Sequence, residues 1–425
     1  MTWGRWYAAK SYVMSALWLS PLIAFVLAQL TYRLPYVLGI DLGAIPGFVY
    51  TEQGQISALD INITMNLTFI VFTFGSMLVA IQIASAQLSP RIIVTALLRD
   101  NAIRIVVGLF TYGLVLSLGA RNRTETISDF VVSIAALWGL VSVVAFLFLI
   151  DYAARLLRPL SIVRRVAEQG LNVFGRVYPE PAGLEPDLPH QCTDALPAGR
   201  TIAHTGKSGV IIAVNIRALI AAAARFGGVL ELVPQVGDFV ATGRPLLIVR
   251  NGSEPVDDRH LAGQVAFGPE RTIEQDSMFA FRVIVDIAIK ALSPAINDPT
   301  TAVTAIDQLQ RLLQDVGRRY LRSETNLDAS GQPRLILRTP NWEHFVELSC
   351  SEIRYYGASN FQIARKLQAM LLDLMHELPH YRAPILRHEL DLLNGTLDHC
   401  FVIPADREVA RIADSQGLGG HIVHE

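Results

Sequence analysis

The sequence predicts an α-helical membrane protein with four N-terminal transmembrane helices, followed by a cytoplasmic α+β region of a small β-barrel-like module plus a helical domain. Three observations predict it. Of 425 residues, 51% are hydrophobic and only 17% charged, against about 25% charged in soluble domains, and the mean hydropathy is +0.36. The apolar excess gathers in the first 152 residues, as four stretches near 11–31, 63–86, 103–120 and 129–151. After a proline-dense segment, short strand-like runs give way to helical periodicity.

Taken in order, the first stretch is too long for a signal-peptide core and lacks a convincing cleavage site, so it reads as a retained span. Trp3 and Trp6 before it suit an interfacial belt. The fourth, DFVVSIAALWGLVSVVAFLFLID, holds an uncharged run between two aspartates, enough to cross a hydrocarbon core of about 30 Å. Arg5 and Lys10 precede the first span, Arg91, Arg99 and Arg104 lie between the second and third, and Arg155, Arg158, Arg164 and Arg165 follow the fourth. The first external loop carries Arg33 against Asp41, Glu52 and Asp60. The short loop after the third span holds Arg121 and Arg123, and the remaining basic residues collect on the other side, so both termini are placed in the cytoplasm. Asn62 and Asn66 head NIT and NLT, formally glycosylation acceptors, but they sit at the mouth of a span and receive little weight.

The membrane domain is thus read as 1–155 and a basic helix with a proline-rich linker as 156–199, the latter holding Pro179, Pro181, Pro186, Pro189 and Pro197. Prolines at that density deny a regular helix or central strand. A β-rich module follows over 200–268: SGVIIAVN as a strand, Asn215 capping the helix IRALIAAAARF that Gly227 and Gly228 close, then GVLELV and PLLIVR as strands around VGDFVATGR. That turn resembles the one in biotinyl and lipoyl carrier domains. No lysine occupies the carriers' modified position, so only a barrel-like fold is carried over. From 269 to 425 the chain reads as mainly helical, with RLILRT strand-like. Cys192, Cys350 and Cys400 are an odd, scattered set, expected to be buried free thiols rather than disulfides or zinc ligands.

Three stretches carry a family resemblance. KALSPAINDPTTAVTAIDQL at 290–309, IQIASAQLSPRIIVTALLRD at 81–100 and FGPERTIEQDSMFAFRVIVDIA at 267–288 resemble the recurrent segments of a bacterial membrane-protein family, domain of unknown function 2254. The resemblance covers essentially the whole chain. It implies four N-terminal spans and a cytoplasmic C-terminal domain, and it implies no activity.

Function is therefore argued from residues. His376, Glu377 and His380 spell H-E-x-x-H, which binds zinc only when the five residues form one helix. Pro379 lies inside the motif, and proline removes an amide donor and turns the preceding residue from α geometry. The expectation is a terminated helix without metal. In SPAINDPTT, Ser293 and Pro294 end one helix, and Asn297 and Asp298 before Pro299 start the next, Asp298 as cap and Pro299 as first helical residue. The alternative for this helix corner is a carboxylate and amide placed for a ligand.

The second span is the more informative. Thr64, Thr68, Val71, Gly75, Leu78, Gln82, Ser85 and Ser89 fall on one side of a helix, while Ser76, Ala80 and Ala84 form a small-xxx-small packing run on another. Polar mouths, an apolar constriction and a separate packing face are what a pore-lining helix needs. The alternative is a buried seam with Gln82 bonded to another span. No ionisable residue lies deep in a span, against a coupled transporter. P-loop, nucleophile-elbow and kinase glycine-loop motifs are absent, which leaves nucleotide-driven transport and serine hydrolysis unsupported.

The leading expectation is accordingly a homo-oligomeric pore, a passive ion channel rather than an enzyme, requiring no cofactor. Its partners would be copies of itself, the lipid bilayer and small inorganic ions. The net charge of −2 gives no reason to expect nucleic acid. The basic inner mouth would be Arg91, Arg99 and Arg104. The alternative is a membrane-anchored sensor or scaffold that conducts nothing.

Overall fold

A computed structural model of the chain describes residues 2–16, 18–38, 43, 45, 50–87, 101–122, 128–156, 159–183, 199–252, 257–321 and 325–418. They divide into two compact units, Tyr12–Ile162 and, together, Met1–Ser11 with Val163–Glu425.

In the Tyr12–Ile162 unit the helices after α1 (Trp3–Ser15) are α2 (Leu19–Leu38), α3 (Glu52–Gln87), α4 (Asn101–Arg121) and α5 (Asp129–Leu156). Among the described residues three segments are long and apolar enough to cross a membrane: Glu52–Val79, Asn101–Arg121 and Asp129–Ala153. The expected first span at 11–31 is not one helix, because α1 ends at Ser15 and α2 begins at Leu19. Pro21 explains the break: it has no amide hydrogen to give a preceding turn, so it is tolerated only in the first turn of a new helix. α2, α3, α4 and α5 share a core in which Ala28, Leu59, Leu116, Val131 and Ala135 meet.

The other unit begins with the N-terminal half of α1. Trp3, Tyr7 and Ala8 pack against Ile212, Ala213 and Ala266, and the Gly4 amide donates to Gly263 O at 2.8 Å. Trp3 is thus partly buried against protein. Trp6 stays half exposed at 50%, with Lys10 Nζ 5.2 Å from its ring centroid. α6 (Pro159–Val177) follows the membrane helices. The linker's first residues are pinned: Tyr320 N donates to Glu180 O at 2.9 Å, and Ala182 N to Arg318 O at 2.8 Å.

Among the described residues eight strands form two sheets: β1 (Arg200–Ala203), β2 (Gly209–Val214), β3 (Val229–Leu232), β4 (Phe239–Val240), β5 (Pro245–Arg250), β6 (Val265–Gly268), β7 (Thr325–Leu327) and β8 (Pro333–Leu337). The larger sheet has the order β1-β5-β3-β8-β7 and the smaller β4-β2-β6. All pairings are antiparallel except β3 with β8, where Leu230 faces Leu335 in parallel register. Among the described residues the strands lie in two sheets whose side chains share one core. β8 also joins the sheet from beyond residue 268, so strands on both sides of that position share one layer. Leu219 and Phe226 of α7 (Ile216–Phe226) fill the core with Ile211, Leu230, Leu246 and Leu335. Asn215 caps α7 through Ala218 N, and Gly227 ends it at φ 72°. Glycine is suited to that left-handed position because it has no Cβ to clash.

The helical remainder comprises α8 (Asp258–Ala262), α9 (Ser277–Ala291), α10 (Pro299–Gly317), α11 (Trp342–Gly357), α12 (Phe361–Glu377), a 3₁₀ turn His380–Arg382, α13 (Ala383–Cys400) and α14 (Pro404–Ala410). Phe174, Phe281 and Phe345 knit α6, α9 and α11, with centroid separations of 5.8, 6.3 and 5.2 Å. Cys350 is buried, and that burial pushes its thiol well above the ordinary range. Cys400 is exposed, contrary to the expectation of buried thiols, because it falls at the solvent side of the last turn of α13. Cys192 lies outside the described residues.

Candidate functional site

The long helix α3 has two opposite faces. Successive residues turn about 100°, so positions two apart point roughly 200° away from each other. One face is buried: Gln55, Leu59, Asn62, Asn66, Thr73 and Met77, with Leu59 and Asn66 at 0% exposure. The opposite face carries the expected stripe, and Thr64, Thr68, Val71, Gly75, Leu78 and Gln82 are all exposed in the single chain. Val71 and Leu78 are 64% and 63% exposed. The side chain of Ser85, and Ser89, Arg91 and Arg99 altogether, lie outside the described residues.

The buried face is built around two asparagines. Asn62 Nδ2 donates to Ser117 Oγ on α4 at 3.1 Å and to Ala135 O on α5 at 2.5 Å. Asn66 Nδ2 donates to Asn62 O at 2.9 Å and Asn62 Oδ1 at 2.8 Å. In hydrocarbon a polar group without a partner is costly, so these bonds are what let two amides sit in the bundle, although Asn66 Oδ1 has no partner among the described residues. Glycines supply the room. A Cβ on Gly113 would lie 3.0 Å from Asn66 Nδ2, and one on Gly139 would lie 2.9 Å from Asn62 Oδ1. Their burial also rules them out as the glycan acceptors that NIT and NLT formally spell. The available signal was their i, i+4 spacing inside an apolar run, which puts both amides on one helix face.

Of the expected packing run, Ser76, Ala80 and Ala84, the structure describes only the Ser76 side chain. Ser76 is exposed, its hydroxyl turned back to Thr73 O at 3.0 Å. Gln82 is exposed in the single chain, so among the described residues it is not buried in a seam. The stripe's hydroxyls are satisfied within their own helix, Thr64 Oγ1 to Asp60 O at 2.9 Å and Thr68 Oγ1 to Thr64 O at 2.7 Å. At the end of α3 that carries Glu52, Asp60 pairs with Arg121 at 3.0 Å, both exposed, and Gln55 Nε2 donates to Asp129 Oδ1 at 2.5 Å. Arg104, in the first turn of α4, is half-buried beside a groove lined by Leu19 and Ser20 of α2.

In the other unit, the SPAINDPTT segment forms a tight corner. Ser293 Oγ donates to Lys290 O at 2.7 Å, closing α9, with Pro294 just beyond. Asn297 takes a left-handed φ of 46°, and Asp298 N returns to Ala291 O at 2.8 Å. Asp298 then caps α10, accepting from Thr301 N at 3.1 Å and Thr301 Oγ1 at 2.5 Å, with Pro299 in the first turn. Both carboxylate oxygens are spent locally, which favours the corner over the ligand alternative. At H-E-x-x-H, α12 stops at Glu377 and Leu378 is extended with ψ 159°, so His376 and His380 do not share a helix. Glu377 accepts from Gln314 Nε2 at 2.9 Å and Arg318 Nη2 at 3.0 Å.

The model of the predicted membrane protein family DUF2254 matches residues 10–373. An uncharacterized protein of Mycobacterium bovis is 26% identical over 381 residues, covering 83% of this chain and 70% of its own length. An uncharacterized protein of Mycobacterium tuberculosis matches with the same identity and coverage. No solved structure matches.

Proposed function

The chain belongs to the DUF2254 family of predicted membrane proteins, and we propose that it assembles with copies of itself into a passive ion pore in a bacterial inner membrane. Four spans, with α2 as the first and both termini cytoplasmic, would be the subunit. α3 would line the path and the C-terminal unit would assemble or gate it. One observation carries this reading: the Thr64–Gln82 stripe is exposed and lies opposite the seam that holds the single chain together. A lone polar stripe gains nothing from lipid, whereas a ring of subunits would turn it toward a shared axis. Thr64 and Thr68 would form one mouth and Gln82 the other. Val71, Gly75 and Leu78 would form an apolar constriction of the kind that gates by dewetting.

Purified protein reconstituted in liposomes should pass current, with Gln82→Leu and Gly75→Trp each changing it by severalfold. No Cβ at Gly75 would meet another atom within 4 Å, so the tryptophan burdens an assembled pore rather than the subunit's fold. Silence under every applied voltage and salt would end the pore reading, and a current indifferent to both changes would remove α3 from the path. The second reading, a membrane-anchored sensor that conducts nothing, draws on a separate observation, a cavity in the C-terminal unit.

A further inference from the structure

That cavity, of about 400 Å³, lies wholly within the unit formed by Met1–Ser11 and Val163–Glu425. Sites for small organic ligands usually measure about 300–1,000 Å³. Three arginines line it from three different elements: Arg176 near the end of α6, Arg217 in the first turn of α7 and Arg338 just after β8. Among the described residues none of them has a carboxylate partner. Arg176 Nε and Nη2 donate only to the carbonyls of Asn172 and Glu274, both at 3.3 Å. Among the described residues no side-chain hydrogen bond or ion pair engages Arg217 or Arg338. Elsewhere in the same unit arginines are matched: Arg250 with Glu231 at 2.5 Å, Arg319 with Asp315 at 2.8 Å, Arg334 with Asp328 at 2.7 Å.

The acids at the cavity are already engaged. Glu274 accepts Tyr7 OH and Ser11 Oγ at 2.8 Å each, and Asp276 holds Arg271 at 2.7 Å while capping α9. Asp276 is neutralised by Arg271, whereas the hydroxyls on Glu274 leave its charge in place, so three arginines face one charged carboxylate and the cavity keeps a positive excess, with the positive end of the α7 dipole added. Guanidinium forks match phosphate oxygens in geometry as well as charge. The remaining wall is of another character. Trp3 and Tyr7 present neighbouring rings, 5.1 Å between centroids, and Gln275 accepts Val214 N at 2.9 Å through its carbonyl, which leaves its amide protons free. An aromatic wall with an amide beside it suits a flat, hydrogen-bonding ring.

We propose that this cavity binds a nucleoside phosphate, with its phosphate among Arg176, Arg217 and Arg338 and its base against Trp3 and Tyr7. Because those rings belong to α1, whose chain runs on into the membrane unit, an occupied cavity would hold the helix that leads to the spans. The proposal stands whether or not the protein conducts.

The test uses the full chain in phosphatidylcholine nanodiscs, titrated by calorimetry with ATP, GTP and AMP, and separately with inorganic phosphate and adenosine. At least one nucleotide should saturate a single site per chain, about tenfold or more tighter than phosphate or nucleoside alone. The double variant Arg217→Ala/Arg338→Ala should weaken it about tenfold or more while leaving the ligand-free melting temperature unchanged, since both side chains are exposed. Three results would overturn the assignment: no saturation by any nucleotide at millimolar concentration, affinity no better than for inorganic phosphate, or affinity unaltered in the double variant. Loss of nucleotide binding in phosphatidylglycerol nanodiscs would assign the site to a lipid headgroup instead.

Discussion

Asn62→Ala is the sharpest perturbation of the membrane unit. It deletes the donor bonds to Ser117 Oγ and Ala135 O and the acceptor of the Asn66 amide, three side-chain hydrogen bonds in all. The two interhelical bonds average about 0.6 kcal/mol each in a membrane protein and the bond to Asn66 within α3 adds about 0.3 kcal/mol, so their loss sums to about 1.5 kcal/mol. The vacated volume adds to this, because Gly139 on α5 offers no side chain to refill it. The reference variant is Thr64→Ala, two residues along the same helix. Thr64 is exposed and its hydroxyl bonds only Asp60 O in its own turn, so the change should stay within about 0.5 kcal/mol. Reversible unfolding in mixed micelles with increasing dodecyl sulfate would measure both. A double-mutant cycle with Ser117→Ala should return about 0.6 kcal/mol of coupling. Equal stabilities for Asn62→Ala and Thr64→Ala would refute the assignment of buried and exposed faces, and the pore reading that depends on it.

Two further outcomes are expected in the C-terminal unit. Asp298→Ala removes the cap of α10 and should cost about 1 kcal/mol, with Asp298→Asn recovering most of it. Hydrogen exchange of the Thr301 amide should accelerate in the alanine variant alone, and an unchanged rate would mean the cap contributes nothing. Glu389 is buried on α13, and burial raises its carboxyl above the ordinary 4.5 against the opposing pull of Arg354, 3.6 Å away. The folded state therefore holds this proton more tightly than the unfolded chain does. The stability it contributes is full below pH 4.5 and is lost as pH rises through the raised value. Glu389→Gln should remove that part of the pH dependence in denaturant titrations, and a profile parallel to the wild type would contradict it.

Which features could be read from the residues follows from how far each one reaches along the chain. The caps at Asn215 and Asp298, the stop of α12 before Pro379 and the left-handed Gly227 each depend on atoms within about one helical turn. The membrane-crossing runs are equally legible, since length and the lack of charge are local properties. α3 shows where this ends. Its periodicity separates two faces but does not say which one packs, because that choice belongs to Gly113 on α4 and Gly139 on α5, whose missing side chains admit the asparagines. The break between α1 and α2 lay within sight at Pro21, but an unbroken apolar run outweighed it.

Local pattern along the chain was enough for an apolar, membrane-type N-terminal third, a mixed α and β remainder, and the corners that join its helices. Packing in three dimensions sets Trp3 against Ile212 and Ala266, pairs β8 with β3, and brings Arg176, Arg217 and Arg338 around one cavity. The physical reason is common to all three. These contacts join residues far apart in the chain, and such contacts follow from how space is filled rather than from the pattern of any one segment.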